Sequence, residues 1–255
     1  MPVLSCLPQE LPTMTHDTNL GLSVYTLFYD EYQYIHQWID CVGRFADEAV
    51  VVYTGEPRLY DKVAQIVREY RYINIDIVPF TQHCQKYSKE WKQSEIRNFA
   101  LQATHHYWTL QLDIDEIIAG VAFKARVDQR LREHPELTAL ALPTLNLWTN
   151  GRVRVDGRWF PDWHYRVLSK EVRYTAGARH ITIEGLPEVR KTKEAISHLP
   201  HMLGNIECSI IHHKYTEKPK LENNAFRCIN KDVNEFDYYK GLKTASLEDM
   251  KKVMI

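Results

Sequence analysis

Three acidic side chains within four residues are the strongest chemical signal in this sequence. The segment Tyr107–Glu116 starts as a mostly apolar run and ends with Asp113, Asp115 and Glu116. Because the run is short and rich in β-favouring residues, we interpret it as a buried strand. Residues two apart on a strand point the same way, so Asp113 and Asp115 are expected to share one face while Ile114 faces the core. Their repulsion must be offset by a cation or by hydrogen-bond donors.

Two explanations of this acidic segment remain open from the residues alone. Carboxylate oxygens with room for water suit Mg²⁺ or Mn²⁺, particularly where a phosphate completes the coordination shell. A solvated acidic turn that closes a strand has the same composition and needs no ligand. The elements around the segment must decide between them.

Strand-like and helix-like segments alternate before the acidic strand. Apolar runs rich in β-favouring residues predict strands at Leu20–Phe28, Glu48–Thr54 and Ile75–Phe80. Apolar residues at three- and four-residue spacing predict helices over Tyr34–Val42, Val63–Tyr70 and Gln93–Ala103. We therefore expect an α/β fold with a mostly parallel central sheet and helices on both faces. The carboxyl ends of its strands should gather at one edge, where such sheets bind ligands.

The pattern changes after Glu116. The sequence predicts a helix at Val121–His134, a long strand at Thr138–Trp148, an antiparallel meander from Arg152 to Tyr174 with turns at Asn150-Gly151 and Asp156-Gly157, and a last strand at Ile206–His213. We expect a leader at residues 1–19, one domain at 20–213 whose second half (121–213) is antiparallel, and a tail at 214–255 that is helical and packs on the domain.

Composition and charge exclude several classes of protein. The 255 residues include 32 basic and 33 acidic side chains, so no positive excess favours nucleic acid. The five cysteines are scattered without a C-x-x-C pair, which favours reduced thiols in a cytoplasmic protein. No apolar run approaches the ~18 residues of a membrane span. The first residues lack the basic and apolar regions of a signal peptide. The oligomeric state stays open.

Four segments of this chain carry recognisable motifs. They are Thr26–Glu31 (TLFYDE), Ala46–Gly55 (ADEAVVVYTG), Glu95–Leu101 (EIRNFAL) and Leu112–Glu116 (LDIDE). In that order they resemble the first strand with its Asn-Glu pair, the second strand with its Asp-Thr-Gly turn, the Ala-Arg-Asn helix and the DxD motif of family 2 GT-A glycosyltransferases. The Asp-x-Asp-Glu form is similar to that of bacterial surface-polysaccharide and lipopolysaccharide-core enzymes. The resemblance spans about Leu22 to His213.

The resemblance implies a Rossmann-like GT-A fold with a nucleotide-binding half at 20–120 and an acceptor half at 121–213. It implies metal-dependent transfer of a sugar from a nucleotide-sugar donor to a glycan or other hydroxyl acceptor, with inversion. The implied donor contacts are Thr26, Phe28, Glu31, Tyr53, Arg97 and Asp113, and the implied ligands of Mn²⁺ or Mg²⁺ are Asp113, Asp115 and His212. A cation there would offset the charge of the departing diphosphate.

Some of these residues keep two interpretations. Arg97 is either a surface cation on an amphipathic helix or a guanidinium that points into the site and binds phosphate or base. Glu31 either lies beside the donor or favours a helix N-terminus electrostatically. Tyr53 stands where the family has an aspartate that reads the base, and we expect its ring to stack on the base instead. Glu56 is the nearest acidic substitute.

The acceptor side offers two candidates for the base that an inverting transfer needs, Asp162 and Glu184. We favour His212 over His213 as the metal ligand because adjacent strand residues face opposite ways. Trp148, Trp159 and Trp163 are either core residues or stacking surfaces for a sugar. Two other function classes remain alternatives: a metal-dependent phosphohydrolase or nuclease, and a non-catalytic carbohydrate-binding or scaffold protein of the same fold.

Overall fold

The computed structural model describes residues 20–80, 92–147, 153–154, 162–176, 181–184, 186, 209–212 and 244–245. Within these residues the first half contains β1 (Leu22–Phe28), α1 (Tyr32–Val42), β2 (Glu48–Tyr53), a 3₁₀ turn (Pro57–Leu59), α2 (Tyr60–Arg68), β3 (Ile75–Pro79), α3 (Gln93–Ala103), β4 (Trp108–Gln111) and β5 (Glu116–Ile118). The second half contains α4 (Phe123–Glu133), β6 (Ala139–Asn146), β7 (Val153–Arg154), β8 (Asp162–Ser169), β9 (Tyr174–Ala176), β10 (Ile181–Ile183), β11 (Ile210–His212) and β12 (Thr244–Ala245).

A mixed eight-stranded sheet organises the described residues, with the strand order β3-β2-β1-β4-β8-β6-β11-β5. Parallel pairs join β3 to β2, β2 to β1, β1 to β4 and β6 to β11. Antiparallel pairs join β4 to β8, β8 to β6 and β11 to β5. The predicted α/β class is therefore confirmed, as is a mostly parallel sheet with antiparallel strands in its second half.

Helices cover both faces of this sheet because successive strand residues point to opposite sides. Val24, Ala49 and Val51 pack in one core with apolar residues of α1, α2 and α4. Tyr25 and the valines at positions 50 and 52 face the other way and pack with Ile96 and Ala100 of α3. Strands β1 and β2 are thus buried on both faces, which explains their largely apolar runs.

The pairing of the strands brings their carboxyl ends to one edge of the sheet, which we call the functional edge. The parallel strands β1, β2, β3, β4, β6 and β11 all direct their carboxyl ends to it. The antiparallel strand β8 begins at this edge, since Asp162 lies opposite Thr144 near the end of β6. Strand β5 also begins there, since Glu116 lies opposite His212 at the end of β11. Residues that are distant in sequence therefore meet at one edge.

The prediction of one acidic strand from Tyr107 to Glu116 is wrong in detail. Strand β4 ends at Gln111, a turn contains Ile114 and Asp115, and β5 starts at Glu116. Ile114 is buried, as expected. The two aspartates reach the edge because the chain turns, and not because they alternate along a pleated strand. Trp38 of α1 holds this turn, since its indole Nε1–H donates to the Leu112 carbonyl (3.3 Å).

The second half departs from a simple meander. Strand β11 inserts between β6 and β5, and β7 pairs with β12 in a separate two-stranded sheet. Of the tail at 214–255 the structure describes Thr244–Ala245, which is a strand. Several predictions fall outside the described residues: the remainder of the tail, the leader at 1–19, both tight turns, Trp148, Trp159 and His213. No helix in the described part of the chain is long and apolar enough to cross a membrane.

Candidate active site

The turn after β4 presents Asp113 and Asp115 at the carboxyl edge of the sheet. Its entry is fixed to β1, because the Leu112 N–H donates to the Tyr25 carbonyl (3.1 Å). Glu116 closes the turn in two ways: its N–H donates to the Asp113 carbonyl (2.9 Å) and its Oε2 accepts the Asp113 N–H (2.8 Å). The third acidic residue of the motif therefore shapes the loop that carries the other two.

Donors and cations surround the Asp113 carboxylate. Oδ1 accepts a hydrogen bond from Gln111 Nε2 (2.6 Å) and from Arg97 Nη2 (3.4 Å). Arg166 Nη1 lies 3.8 Å from Oδ2. Burial raises the pKa of Asp113, but the guanidiniums of Arg97 and Arg166 outweigh it and hold that pKa below its usual value. Asp113 is thus an ionised carboxylate at neutral pH, and protein groups already compensate its charge.

Arg166 lies behind this carboxylate and is itself buried. Its Nη2 donates to Glu116 Oε1 (2.6 Å), and its Nη1 donates to Gln111 Oε1. Burial raises the pKa of Glu116, and the attraction of Arg166 opposes that rise. Burial lowers the pKa of Arg166, but the carboxylates of Glu116 and Asp113 outweigh that effect and raise it. The pair is a buried, charge-assisted contact at the base of the acidic turn.

Arg97 reaches Asp113 from α3 and is also buried. Its guanidinium lies over the ring of Tyr174, 5.7 Å from the centroid. The Tyr174 hydroxyl accepts a hydrogen bond from Tyr25 (3.0 Å), and burial raises the pKa of both phenols, so both stay protonated. Asn98 anchors Tyr174 to α3, because its amide accepts the Tyr174 N–H (2.8 Å) and donates to the Tyr174 carbonyl (2.9 Å).

Asp115 lies on the other side of the turn, beside His212. Its Oδ2 is 3.4 Å from His212 Nε2. The opposite ring nitrogen, Nδ1, lies 2.9 Å from Asn146 Oδ1. With the Asn146 amide oxygen facing Nδ1, that nitrogen is the donor of this contact, and Nε2 is the ring atom directed at Asp115. This is the hydrogen-bonded orientation typical of a histidine that binds a metal.

The carboxylates and imidazole do not form a complete metal site. Among the residues that the structure describes, no group of three or more His, Cys, Asp or Glu side chains is arranged to hold a metal ion. Asp113 is directed at two guanidiniums, whereas Asp115 and His212 lie beside each other. Mg²⁺ and Mn²⁺ in such sites keep several waters and take substrate phosphate oxygens as ligands.

The two predicted bases occupy different surroundings. Asp162 is buried at the start of β8, on the functional edge, with His164 Nε2 3.2 Å from its Oδ2. Glu184 is exposed at the end of the β9–β10 hairpin, where its N–H donates to the Arg173 carbonyl (2.9 Å). The structure thus brings Asp162 to the edge that carries the acidic turn, whereas Glu184 follows a strand of a separate two-stranded sheet.

The predicted donor residues of the first two strands are largely internal. Thr26 and Phe28 are both fully buried in β1. Glu31 accepts the N–H groups of Tyr29 (3.0 Å) and Asp30 (3.2 Å), so it stabilises the turn between β1 and α1.

Tyr53 is 2% exposed, which does not support stacking of its ring on a base. The ring packs against Phe28, with centroids 6.2 Å apart, and against the edge of Tyr60. Its hydroxyl donates to the Glu56 carbonyl (2.6 Å), and burial raises its pKa to about 12. The tyrosine therefore closes the loop after β2 instead of presenting a surface.

Several residues of the site were not singled out from the sequence: Gln111, Asn146, Arg166 and Tyr174. Gln111 ends β4 and Arg166 lies within β8, and a polar or charged residue beside apolar residues of a buried strand is the signal that finds them. Tyr174 and Asn146 carry no comparable signal, because a tyrosine in a strand and an asparagine at a strand end are both ordinary.

Comparison with known proteins gives structural likeness only. No protein-family model matches the sequence, and no curated protein matches it. Among solved structures, TarS from S. aureus in complex with UDP-GlcNAc is 21% identical, with a TM-score of 0.40, over 52% of this chain and 36% of that chain. A structure of TarS 1-349 from S. aureus is 17% identical, with a TM-score of 0.42, over 59% of this chain and 47% of that chain.

A mannosyltransferase from Pyrobaculum calidifontis, in complex with GDP-Man and Mn²⁺, is 15% identical, with a TM-score of 0.38, over 50% of this chain and 36% of that one. This chain spans less than half the length of these proteins. The similar structures are glycosyltransferases, but at TM-scores below 0.5 the likeness carries no argument about activity. That argument depends on the motifs and the site.

Proposed function

We propose that this protein is a GT-A glycosyltransferase that moves a sugar from a nucleotide-diphosphate donor to a hydroxyl acceptor, with help from a divalent cation. One observation carries the proposal: the turn with Asp113 and Asp115 lies at the carboxyl edge of the sheet, between Arg97 on one side and His212 on the other. The four sequence motifs described above support it, because their order along the chain is that of the family.

The charge of the site supports dependence on a cation. Around the acidic turn, two guanidiniums, Arg97 and Arg166, face three carboxylates, Asp113, Asp115 and Glu116, which leaves an excess of negative charge when His212 is neutral. A diphosphate brings further negative charge, so its approach to these groups is unfavourable without a counter-charge. A divalent cation supplies it.

Asp115 and His212 are the proposed cation ligands. Asn146 orients the imidazole because its Oδ1 accepts a hydrogen bond from Nδ1, as the outer partner of a metal-binding histidine does. When bound, the cation supplies Lewis-acid stabilisation of the diphosphate leaving group. Carboxylate and imidazole together suit Mn²⁺, and an oxygen-rich remainder of the shell suits Mg²⁺ as well.

Asp113 has a different proposed part. Its charge is compensated by Arg97 and Arg166, so it is a poorer cation ligand than Asp115. Its half-exposed carboxylate retains acceptor capacity for a donor hydroxyl, such as one on the ribose. Arg97 is held too far inside, on the ring of Tyr174, to act as a mobile surface cation.

Asp162 is the proposed base for the acceptor. Its carboxylate accepts the proton of the acceptor hydroxyl, whose oxygen then bonds to the anomeric carbon while the bond from that carbon to the diphosphate oxygen breaks. Attack on the face opposite the leaving group inverts the anomeric configuration. His164, 3.2 Å from Asp162, is placed to take part in that proton's onward transfer. Glu184 remains a weaker candidate, because it is exposed on the β9–β10 hairpin, which is not part of the main sheet.

The test is a thermal-shift series with UDP, GDP, CDP, ADP and TDP, each with and without MnCl₂. We expect one or more diphosphates to raise Tm only when Mn²⁺ is present, since a ligand that binds the native state stabilises it. Asp115→Ala and His212→Ala should abolish the Mn²⁺-dependent shift. Glu133→Ala, an exposed change on α4, should preserve it. A full shift in Asp115→Ala would contradict the proposal.

One observation favours a second candidate, a non-catalytic protein of the same fold that binds carbohydrate. Tyr53 fills the loop where the family has an acidic base-reading residue, and its hydroxyl is used internally. If no diphosphate shifts Tm under any metal condition while an oligosaccharide does, this second candidate replaces the first.

A further inference from the structure

Arg166 occupies an irregular position in its strand. In the pairing of β8 with β6, Leu140 lies opposite Val167 and Ala141 lies opposite Tyr165, so Arg166 is the extra residue of a β-bulge. Bulges re-aim a side chain and are frequent beside active sites. Here the bulge turns a buried guanidinium to the acidic turn.

The guanidinium of Arg166 contacts three residues of that turn and its preceding strand. It donates to Gln111 Oε1 and to Glu116 Oε1 and lies 3.8 Å from Asp113 Oδ2. Those acceptors are in turn connected to Asp113, because Gln111 Nε2 donates to Asp113 Oδ1 (2.6 Å) and Glu116 Oε2 accepts the Asp113 N–H (2.8 Å). Both the side chain and the backbone of Asp113 are thus fixed through one arginine.

We propose that Arg166 is a positioning residue: its planar fork sets the conformation of the acidic turn and so presents Asp113 and Asp115 to the donor. This inference rests on the proposed function where it concerns the donor. Its structural part, that Arg166 orders the turn, stands without it. Arg166 has no assigned contact with substrate and acts through Gln111 and Glu116.

The geometry requires a fork and not only a positive charge. Gln111 and Glu116 are contacted by different nitrogens of the same guanidinium. A lysine ammonium is a point charge on a flexible stem and does not reproduce two donors in a fixed plane. Arg166→Lys therefore retains the charge that balances Glu116 but releases the hydrogen bond that orients Gln111.

The experiment compares Arg166→Lys, the charge-balanced double variant Arg166→Met/Glu116→Gln, and Lys170→Met as the matched control. Lys170 follows β8 at the opposite edge of the sheet, where its ammonium donates to Thr104 Oγ1 (2.7 Å), so its loss perturbs the same strand away from the turn. Two measurements are made on each full-length protein: hydrogen exchange of a peptide covering 111–117, and the Kd for Mn²⁺ with whichever diphosphate stabilises the wild type.

We expect both Arg166 variants to lose exchange protection in 111–117 while Lys170→Met keeps it. Diphosphate affinity should fall about 10–100-fold in both, as for outer partners of metal ligands. In a fourth variant, Arg166→Ala, added guanidinium ion should restore part of the affinity, and sodium chloride at the same ionic strength should not. Unchanged protection in a folded Arg166→Lys would overturn the inference.

The two proposals fail separately. If the wild type binds no diphosphate with Mn²⁺, the proposed function is wrong, and exchange protection alone decides whether Arg166 orders the turn. If the wild type binds and the Arg166 variants bind equally well, the proposed function stands and the positioning by Arg166 is refuted.

Discussion

Glu116 offers a sharp test of the site's energetics, because both of its carboxylate oxygens have defined partners. Oε1 accepts from Arg166 (2.6 Å), and Oε2 accepts the Asp113 N–H (2.8 Å), in a side chain that is almost wholly buried. Glu116→Ala leaves a buried guanidinium without this partner, which costs about 3–5 kcal/mol. It also removes the acceptor of the Asp113 N–H, which costs about 1–3 kcal/mol.

Because these costs are not additive, we expect Glu116→Ala to lower the free energy of unfolding by about 5 kcal/mol, the lower end of the total stability of a domain. Glu116→Gln should cost less, about 2–3 kcal/mol, since one amide oxygen serves one partner and the amide NH₂ repels the other donor. The charge-free pair Glu116→Leu/Arg166→Met should recover most of the loss, because no unpaired charge remains buried.

Urea denaturation followed by tryptophan fluorescence measures these changes. Glu133→Ala is the control for loss of a carboxylate on an exposed surface, and it should change stability by less than about 0.5 kcal/mol. A loss below about 1 kcal/mol in Glu116→Ala would refute the reasoning. It would mean that water replaces Glu116 beside Arg166, and that the base of the acidic turn is not a closed network.

Two further predictions concern the edges of the fold. Gly55→Ala should destabilise the loop after β2, because a Cβ there would lie 2.4 Å from the Tyr29 carbonyl oxygen; a lower Tm in thermal unfolding would confirm this, and an unchanged Tm would contradict it. The pair of Glu48 and His105 should stabilise the protein mainly between about pH 4.3 and 6.5. Burial raises the pKa of Glu48, but the contacts with His105 and Ser23 outweigh it and leave that pKa lowered, so its contribution is lost as the pH falls through the folded value. The hydrogen bond to Glu48 raises the pKa of His105, so its contribution is lost as the pH rises through its own folded value. The difference in unfolding free energy between wild type and His105→Gln, measured from pH 4 to 8, should peak inside that window; a difference independent of pH would contradict it.

Periodicity predicted the frame of the fold well. The alternation of apolar runs and amphipathic segments located β1, β2, β3 and α3, because these elements bury their apolar residues in one consistent pattern. The acidic strand was predicted too long. Leu112 and Ile114 are apolar and buried, so their pattern continues that of β4 although the backbone already turns between Asp113 and Glu116.

The functional environment was less predictable for a physical reason. The bulge that aims Arg166 is a property of the pairing of β8 with β6, and a single strand's sequence does not encode its partner's register. The sequence predicts that Tyr53 stacks on a base. In the structure its hydroxyl donates to the Glu56 carbonyl and lies close to Gly55, so the ring is inside the protein. The order of the elements predicted which residues lie at the sheet edge. The direction of their side chains depends on contacts with residues distant in sequence, and this was not predictable.

The structure separates two aspartates that the sequence presents as equivalent. Asp113 faces the guanidiniums of Arg97 and Arg166, and Asp115 faces an imidazole whose other nitrogen is fixed by Asn146. A carboxylate beside fixed cations gains little from a metal ion, whereas a carboxylate beside an imidazole has a neighbour that is itself a common metal ligand. The turn closed by Glu116 thus places two chemically identical groups beside different partners, guanidiniums in one case and an imidazole in the other. That difference is the physical basis of the proposal that Asp115 holds a cation and Asp113 binds a hydroxyl of the donor.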